Sequence, residues 1–156
     1  MIIQLLFQRI FILFIIYRIM ITLLQNQKKD IPSDKKLLYN DLKRISKYLP
    51  NSIFNEECSL WTGYITNIKS AHDDVNQYIN FYFKGKKHAL HRLLYINFIG
   101  ELNDNEYIKF KCINKGKCCN IHHFYKNDSV HPKEKDHIEN ESEIQKKDIK
   151  PIIVKF

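Results

Sequence analysis

Three of the four cysteines and two of the seven histidines in this 156-residue chain fall between Cys112 and His123. Thiolate and imidazole are the donors zinc prefers, taken four at a time in a tetrahedron. Five residues separate Cys112 from Cys118, and four separate Cys118 from His123. A loop of that size can bend back so that both ends reach one ion, with Gly116 supplying the flexible position. Cys58, far upstream, is the natural fourth ligand. Cys119 and His122 are rival donors inside the loop, and His88 and His91 are rivals outside it. Cys58 also reads as a buried structural thiol. His123 is preferred to His122 because it precedes Phe124, an apolar residue able to seat the next element in a core. A clamp from residue 58 to the 112–123 loop would staple a core that is small for the chain's length.

Two disulfides are the competing use of four cysteines. The adjacency of Cys118 and Cys119, the histidines among them and the lack of a secretory cleavage pattern favour reduced, metal-binding thiols in an intracellular compartment.

The elements that must position these donors are legible as short periodic runs. Residues 1–24 are apolar, but the uninterrupted run is only Ile10 to Tyr17, between Arg9 and Arg18. Three readings follow: a membrane anchor with both arginines snorkelling, a helix packed on the domain, or a leader upstream of a start at Met20. After a polar linker, Ser33 and Asp34 open an amphipathic helix expected over 33–50. Leu37, Leu38, Tyr39, Leu42, Ile45, Tyr48 and Leu49 recur at helical spacing, and Pro50 ends it. From residue 57 the texture turns to strands: Leu60 to Ile68 with a bulge at Gly63, then Tyr78 to Phe83 with Ile79, Phe81 and Phe83 on one face. Lys84 to Lys87 reads as a turn. Ala89 to Ile99 has helical spacing ending at Gly100, and Tyr107 to Lys111 alternates as a strand leading into the cysteine loop. Residues 127–156 lose all periodicity and read as a flexible polar tail. The fold expected is α+β: a small zinc-stapled domain over 57–126 with an extra amphipathic helix on its N-terminal side.

The chain carries 25 basic against 17 acidic residues, which admits a nucleic-acid or anionic-surface partner. Over 57–126 the count is ten Lys or Arg against six Asp or Glu. Lys84, Lys86, Lys87 and Arg92 gather at the turn and helix start, and Lys109, Lys111, Lys115 and Lys117 line the loop and its entry strand. These are the candidate phosphate contacts. A solvated lysine-rich face is the alternative reading.

Taken in order, Cys58-x-x-Trp61-x-Gly63, a strand and a basic turn, His91-Arg92-Leu93-x-Tyr95 ending at Gly100, Cys112-x-Asn114, Cys118-x-Asn120 and His123-Phe124 resemble the zinc-binding loop region of HNH, or His-Me finger, homing endonucleases. The resemblance covers roughly residues 57–126. It implies a ββα-metal domain in which Cys58, Cys112, Cys118 and His123 hold a structural zinc. In that family a histidine two residues before the first loop cysteine activates water, and an asparagine on the following helix helps to hold a divalent metal. Here the first position is Phe110, which cannot accept a proton, and the loop has one residue more between Cys112 and Cys118 than the usual pattern. Near the second position stand Asn127, early, and His131 before the helix-breaking Pro132. The function expected is therefore a DNA-binding zinc protein derived from such an endonuclease, without cleavage. The rivals are a live Mg2+-dependent endonuclease using His122 or His131, and a membrane-tethered zinc protein with an interaction role.

Overall fold

The computed structural model describes residues 2–69 and 75–127. The expectations placed on 128–156, including the tail and His131, lie outside the described residues.

Helix α1 (Ile2–Asn26) is continuous. Its last turns enter the core, where Ile19, Met20 and Leu23 are buried, while the large apolar residues from Ile3 to Phe14 stand in solvent. Of the readings of this segment, packing on the domain describes the C-terminal part of the helix only.

The helix expected over 33–50 is confined to α2 (Tyr39–Ser46). Its N-terminal side is held open by a buried asparagine from far along the chain. The Asn97 side chain takes the Leu37 N–H at 2.9 Å and donates to the Lys35 carbonyl at 3.0 Å. Gln27 closes the same knot, its amide donating to both Asn97 Oδ1 and the Leu37 carbonyl at 2.8 Å. With the backbone of 35–37 committed to these partners, the helix starts later, where the Asp41 carboxylate accepts the Leu38 N–H at 3.1 Å. The apolar reading survives in part: Leu37, Leu42, Ile45 and Leu49 are buried, whereas Leu38, Tyr39 and Tyr48 are exposed.

Three two-stranded antiparallel sheets follow: β1 (Thr66–Lys69) with β2 (Val75–Tyr78), β3 (Asn80–Phe83) with β4 (Lys86–Ala89), and β5 (Tyr107–Phe110) with β6 (Phe124–Asn127). The strand expected over Leu60 to Ile68 is thus shorter and later. Residues ahead of it spend their hydrogen bonds elsewhere, Trp61 N–H on the Lys117 carbonyl and Thr62 N–H on the Tyr48 carbonyl, both at 3.0 Å. The run Tyr78 to Phe83 also divides between two sheets at Ile79, whose carbonyl accepts the Leu90 N–H at 2.9 Å. Its facing is the expected one, with Ile79, Phe81 and Phe83 buried and Tyr82 exposed. Lys84 and Gly85, at φ 45° and 78°, make the two-residue turn between β3 and β4, the conformation that matches strand twist in tight hairpins. Lys86 and Lys87 belong to β4 itself.

Helix α3 (Leu90–Phe98) buries Leu90, Leu93, Leu94 and Phe98 against residues of α1, α2 and β3, forming one core with Ile53, Trp61, Cys119 and Phe124. The whole is a mixed arrangement of helices and small sheets around that core. It brings the start of the 57–126 region and the cysteine loop together.

Candidate metal centre

Strands β5 and β6 are the two stems of a hairpin whose long connection is the cysteine loop, with the neck closed by Lys111 N–H to the His123 carbonyl at 2.9 Å. At its far side the loop pairs with residues 59–61. Cys119 N–H donates to the Ser59 carbonyl at 2.7 Å, and Leu60 and Cys118 face each other as an antiparallel bridge. This pairing carries Cys58 to the loop. Ile121 N–H to the Ile53 carbonyl at 3.0 Å anchors the segment before it.

The result gathers Cys58, Cys112, Cys118 and His123, whose ligand atoms all lie within 4.8 Å of one another. His123 Nδ1 is 3.4 Å from both the Cys58 and Cys118 sulfurs. A tetrahedral zinc with bonds of about 2.3 Å to sulfur and about 2.0 Å to nitrogen would separate such atoms by about 3.5 Å. The observed spacing fits that geometry. The tautomer fits as well. His123 Nε2 is 3.0 Å from the Glu56 carbonyl, which can only accept, so Nε2 carries the proton and Nδ1 presents its lone pair to the thiols. A carbonyl-oriented imidazole of this kind is the usual outer support of a metal-ligating histidine. The group can therefore hold a metal ion such as zinc, and all four cysteines are unpaired thiols as that role requires.

The thiols are unequal. The Asn114 side chain hydrogen-bonds Cys58 and, with Cys118 and Cys112, holds its thiol below the ordinary range against the opposing effect of burial. Burial pushes Cys118 up to about 12, partly offset by the Asn120 N–H, which donates to its sulfur at 3.4 Å. A bound cation supplies the charge that lets such a buried thiol ionise.

Asn120 is the supporting residue that spacing alone did not single out as structural. It is fully buried. Its amide donates to the Asn55 and Glu57 carbonyls and its oxygen accepts the His122 N–H at 2.8 Å. One side chain thereby locks the approach to Cys58 onto the turn at Ile121–His123.

The rival donors go elsewhere. Cys119 is buried in the apolar core, where desolvation raises its thiol far above the ordinary value. His122 is exposed and His88 stacks edge-on against Phe83, with centroids 5.6 Å apart. His91 is buried among Phe110 and Phe124, at centroid distances of 4.9 and 5.3 Å. Burial pushes it down to about 4, so it is neutral at pH 7. Its Nε2 lies 2.9 Å from the Cys118 carbonyl and so carries the proton. Replacing His91 with leucine is expected to leave metal content unchanged while lowering stability by about 1–3 kcal/mol, because the buried Cys118 carbonyl loses its donor. Urea unfolding with parallel metal analysis reads both.

Phe110 occupies the place where the resemblance expects a general base, and packs on His91 and Phe124. Asn127 ends β6 opposite Tyr107. Among the candidate cations, Arg92 donates to the Glu106 and Asn103 carbonyls, and Lys84 donates to the Ser33 carbonyl while lying over the Phe83 ring. Lys86, Lys87 and Lys115 are exposed, and Lys117 is half-buried.

No family model and no solved structure matches the chain. It is similar to an uncharacterized protein of Acanthamoeba polyphaga mimivirus, 46% identical over 141 residues, covering 85% of this chain and 38% of the viral protein. The chain therefore spans well under half the length of that curated relative.

Proposed function

We propose that the chain is a DNA-binding zinc protein of HNH-like type, in which Cys58, Cys112, Cys118 and His123 hold a structural zinc and the cleaving machinery is missing. The observation that carries this reading is a groove of about 550 Å3 beside the hairpin, lined by Phe110, Lys109, Lys115, Gly116, Gln77 and Tyr125 among others. Lys109 and Lys115 are exposed at its edge, and Tyr125 pairs across the ladder from Lys109. Two ammonium groups and a phenol are suited to phosphate oxygens. At the position where the resemblance puts a water-activating histidine, the groove has only a phenyl ring, which neither accepts a proton nor polarises water. His122 opens onto a different groove, with Tyr95, Lys111 and Lys126.

Anisotropy titration of the full chain with duplex DNA tests this. Affinity is expected to fall steeply with salt, and the double substitution Lys109→Glu, Lys115→Glu to weaken binding about tenfold or more and flatten the salt dependence by roughly two ions. Binding indifferent to salt and to these substitutions would refute the proposal. Incubation with supercoiled plasmid and Mg2+ separates the live-enzyme rival. Nicking that is abolished by His122→Ala would replace our reading with that one.

A further inference from the structure

We propose that the exposed part of α1 is inserted in a lipid bilayer, with the domain seated directly at the headgroups on the cytosolic side. This is independent of the nucleic-acid reading. Phe11 and Leu13 are both 65% exposed and Phe7 is 71% exposed. Positions two apart on a helix point roughly 200° away from each other, so Phe11 and Leu13 lie on nearly opposite sides. A single groove on a partner protein, or one face of a second copy, would cover one and leave the other wet, whereas acyl chains surround a helix completely. Isolated apolar side chains on a surface are ordinary, but a projecting helix clad in them is not.

The dimensions and the flanks agree. By length and composition Ile3–Asn26 could cross a membrane, but its last turns, with Ile19, Met20 and Leu23, are buried in the domain. The exposed stretch from Ile3 to Phe14 is about 17 Å of helix at the usual rise, which enters a hydrocarbon layer of about 30 Å to more than half its depth. Tyr17 and Arg18, both exposed, stand just past Ile15, where the helix begins to pack on the core, the position of interfacial anchors. Arg9 is the one charge within the stretch, and its long stem can carry the guanidinium toward a headgroup layer. Beyond Arg18 come Lys28, Lys29, Lys35 and Lys36 against Asp30 and Asp34. By the bias of lysine and arginine to cytosolic flanks, this basic excess sets the orientation. A cytosolic domain also sits on the reducing side, where thiolate ligands persist.

A removable leader fits less well. Ile19 and Leu23, in the same helix, are buried in the domain core, and Gln27 just beyond it joins the Asn97 knot. Cleavage after the apolar stretch would take core residues with it. The same continuity makes the helix a rigid extension of the fold rather than a tethered anchor.

The test uses the full chain with a C-terminal tag. It is expected to stay with cell membranes through an alkaline carbonate wash and, once purified, to float with vesicles of phosphatidylcholine containing a minor fraction of phosphatidylserine. The double variant Phe11→Asp, Leu13→Asp, altered only at exposed positions, is expected to lose vesicle binding by about tenfold or more with its metal content unchanged. Three results would overturn the proposal: a wild-type chain that is soluble and monomeric, one that is soluble as a defined oligomer dissociated by the same two substitutions, or one recovered with a new N-terminus beyond Tyr17.

Discussion

Replacing Cys118 with serine is expected to strip the chain of its metal and of most of its cooperative fold. Cys118 is the fully buried member of the ligand group, and its neighbours on either side are committed to long-range hydrogen bonds, Lys117 to Trp61 and Cys119 to Ser59. An ion held by this group would therefore join three parts of the chain: the approach to Cys58, the loop and the start of β6. Structural zinc in small domains contributes roughly 10–16 kcal/mol of apparent binding free energy, comparable to or larger than the whole stability of an ordinary domain, about 5–15 kcal/mol. Loss of one thiolate should thus be felt as loss of folding rather than as a small shift. Metal analysis should give about one zinc per wild-type chain and almost none in Cys118→Ser, with the thermal transition broadened or lost. Cys119→Ser is the informative control. It places a hydroxyl in the apolar core at a cost of about 1–3 kcal/mol but should keep the metal. A folded, metal-free wild-type protein would sink the assignment, and so would equal metal loss in both variants.

The second large effect is expected at Gly116. The residue has φ 75°, and a Cβ there would stand 1.7 Å from the Gln77 carbonyl oxygen and 2.6 Å from its carbon. Gln77 lies in β2, paired with Asn67 of β1, so the obstacle is strand backbone rather than a side chain that can swing away. Gly116→Ala is therefore expected to lift the loop off β2 and disturb the span between Cys112 and Cys118, lowering stability by roughly 3 kcal/mol or more and weakening metal retention. Gly85→Ala isolates the backbone contribution, since Gly85 has φ 78° with nothing within 4 Å of its Cβ position. That variant should lose only about 1–2 kcal/mol. Denaturant unfolding of the loaded proteins, with a chelator competition for metal affinity, measures the difference. If the two glycine variants behave alike, the loop does not rest on β2 as described.

How far the site was legible follows from what kind of contact each part depends on. Loop size and donor chemistry limited the metal ligands to a few residues, and the ordered resemblance pointed to the four that converge. Alternation placed Ile79, Phe81 and Phe83 inside because facing in a strand is a local property of period two. The helix expected over 33–50 was overextended because its periodicity was real but its backbone was claimed by Asn97, sixty residues away. The strand expected from Leu60 was misplaced for the same reason, its N–H groups being taken by Lys117 and Tyr48. Arg92 counted as a surface cation by type, yet its guanidinium ties down the 103–106 loop.

The sequence by itself determined which chemistry is available: a set of thiols and imidazoles in one short loop, a phenyl ring before it at Phe110, and an apolar segment with Arg9 and Arg18 set within it. Only the tertiary structure decided between neighbours. Cys118 and Cys119 are equivalent donors on paper. The pairing of 117–119 with 59–61 turns adjacent side chains to opposite sides, so one sulfur joins the metal group and the other enters the core. His122 and His123 are likewise interchangeable by composition, until the Glu56 carbonyl orients His123 and leaves His122 in solvent. Spacing governs which residues can reach a point, but the direction in which each side chain faces is set by the partner of its backbone, and that partner lies far away in the chain.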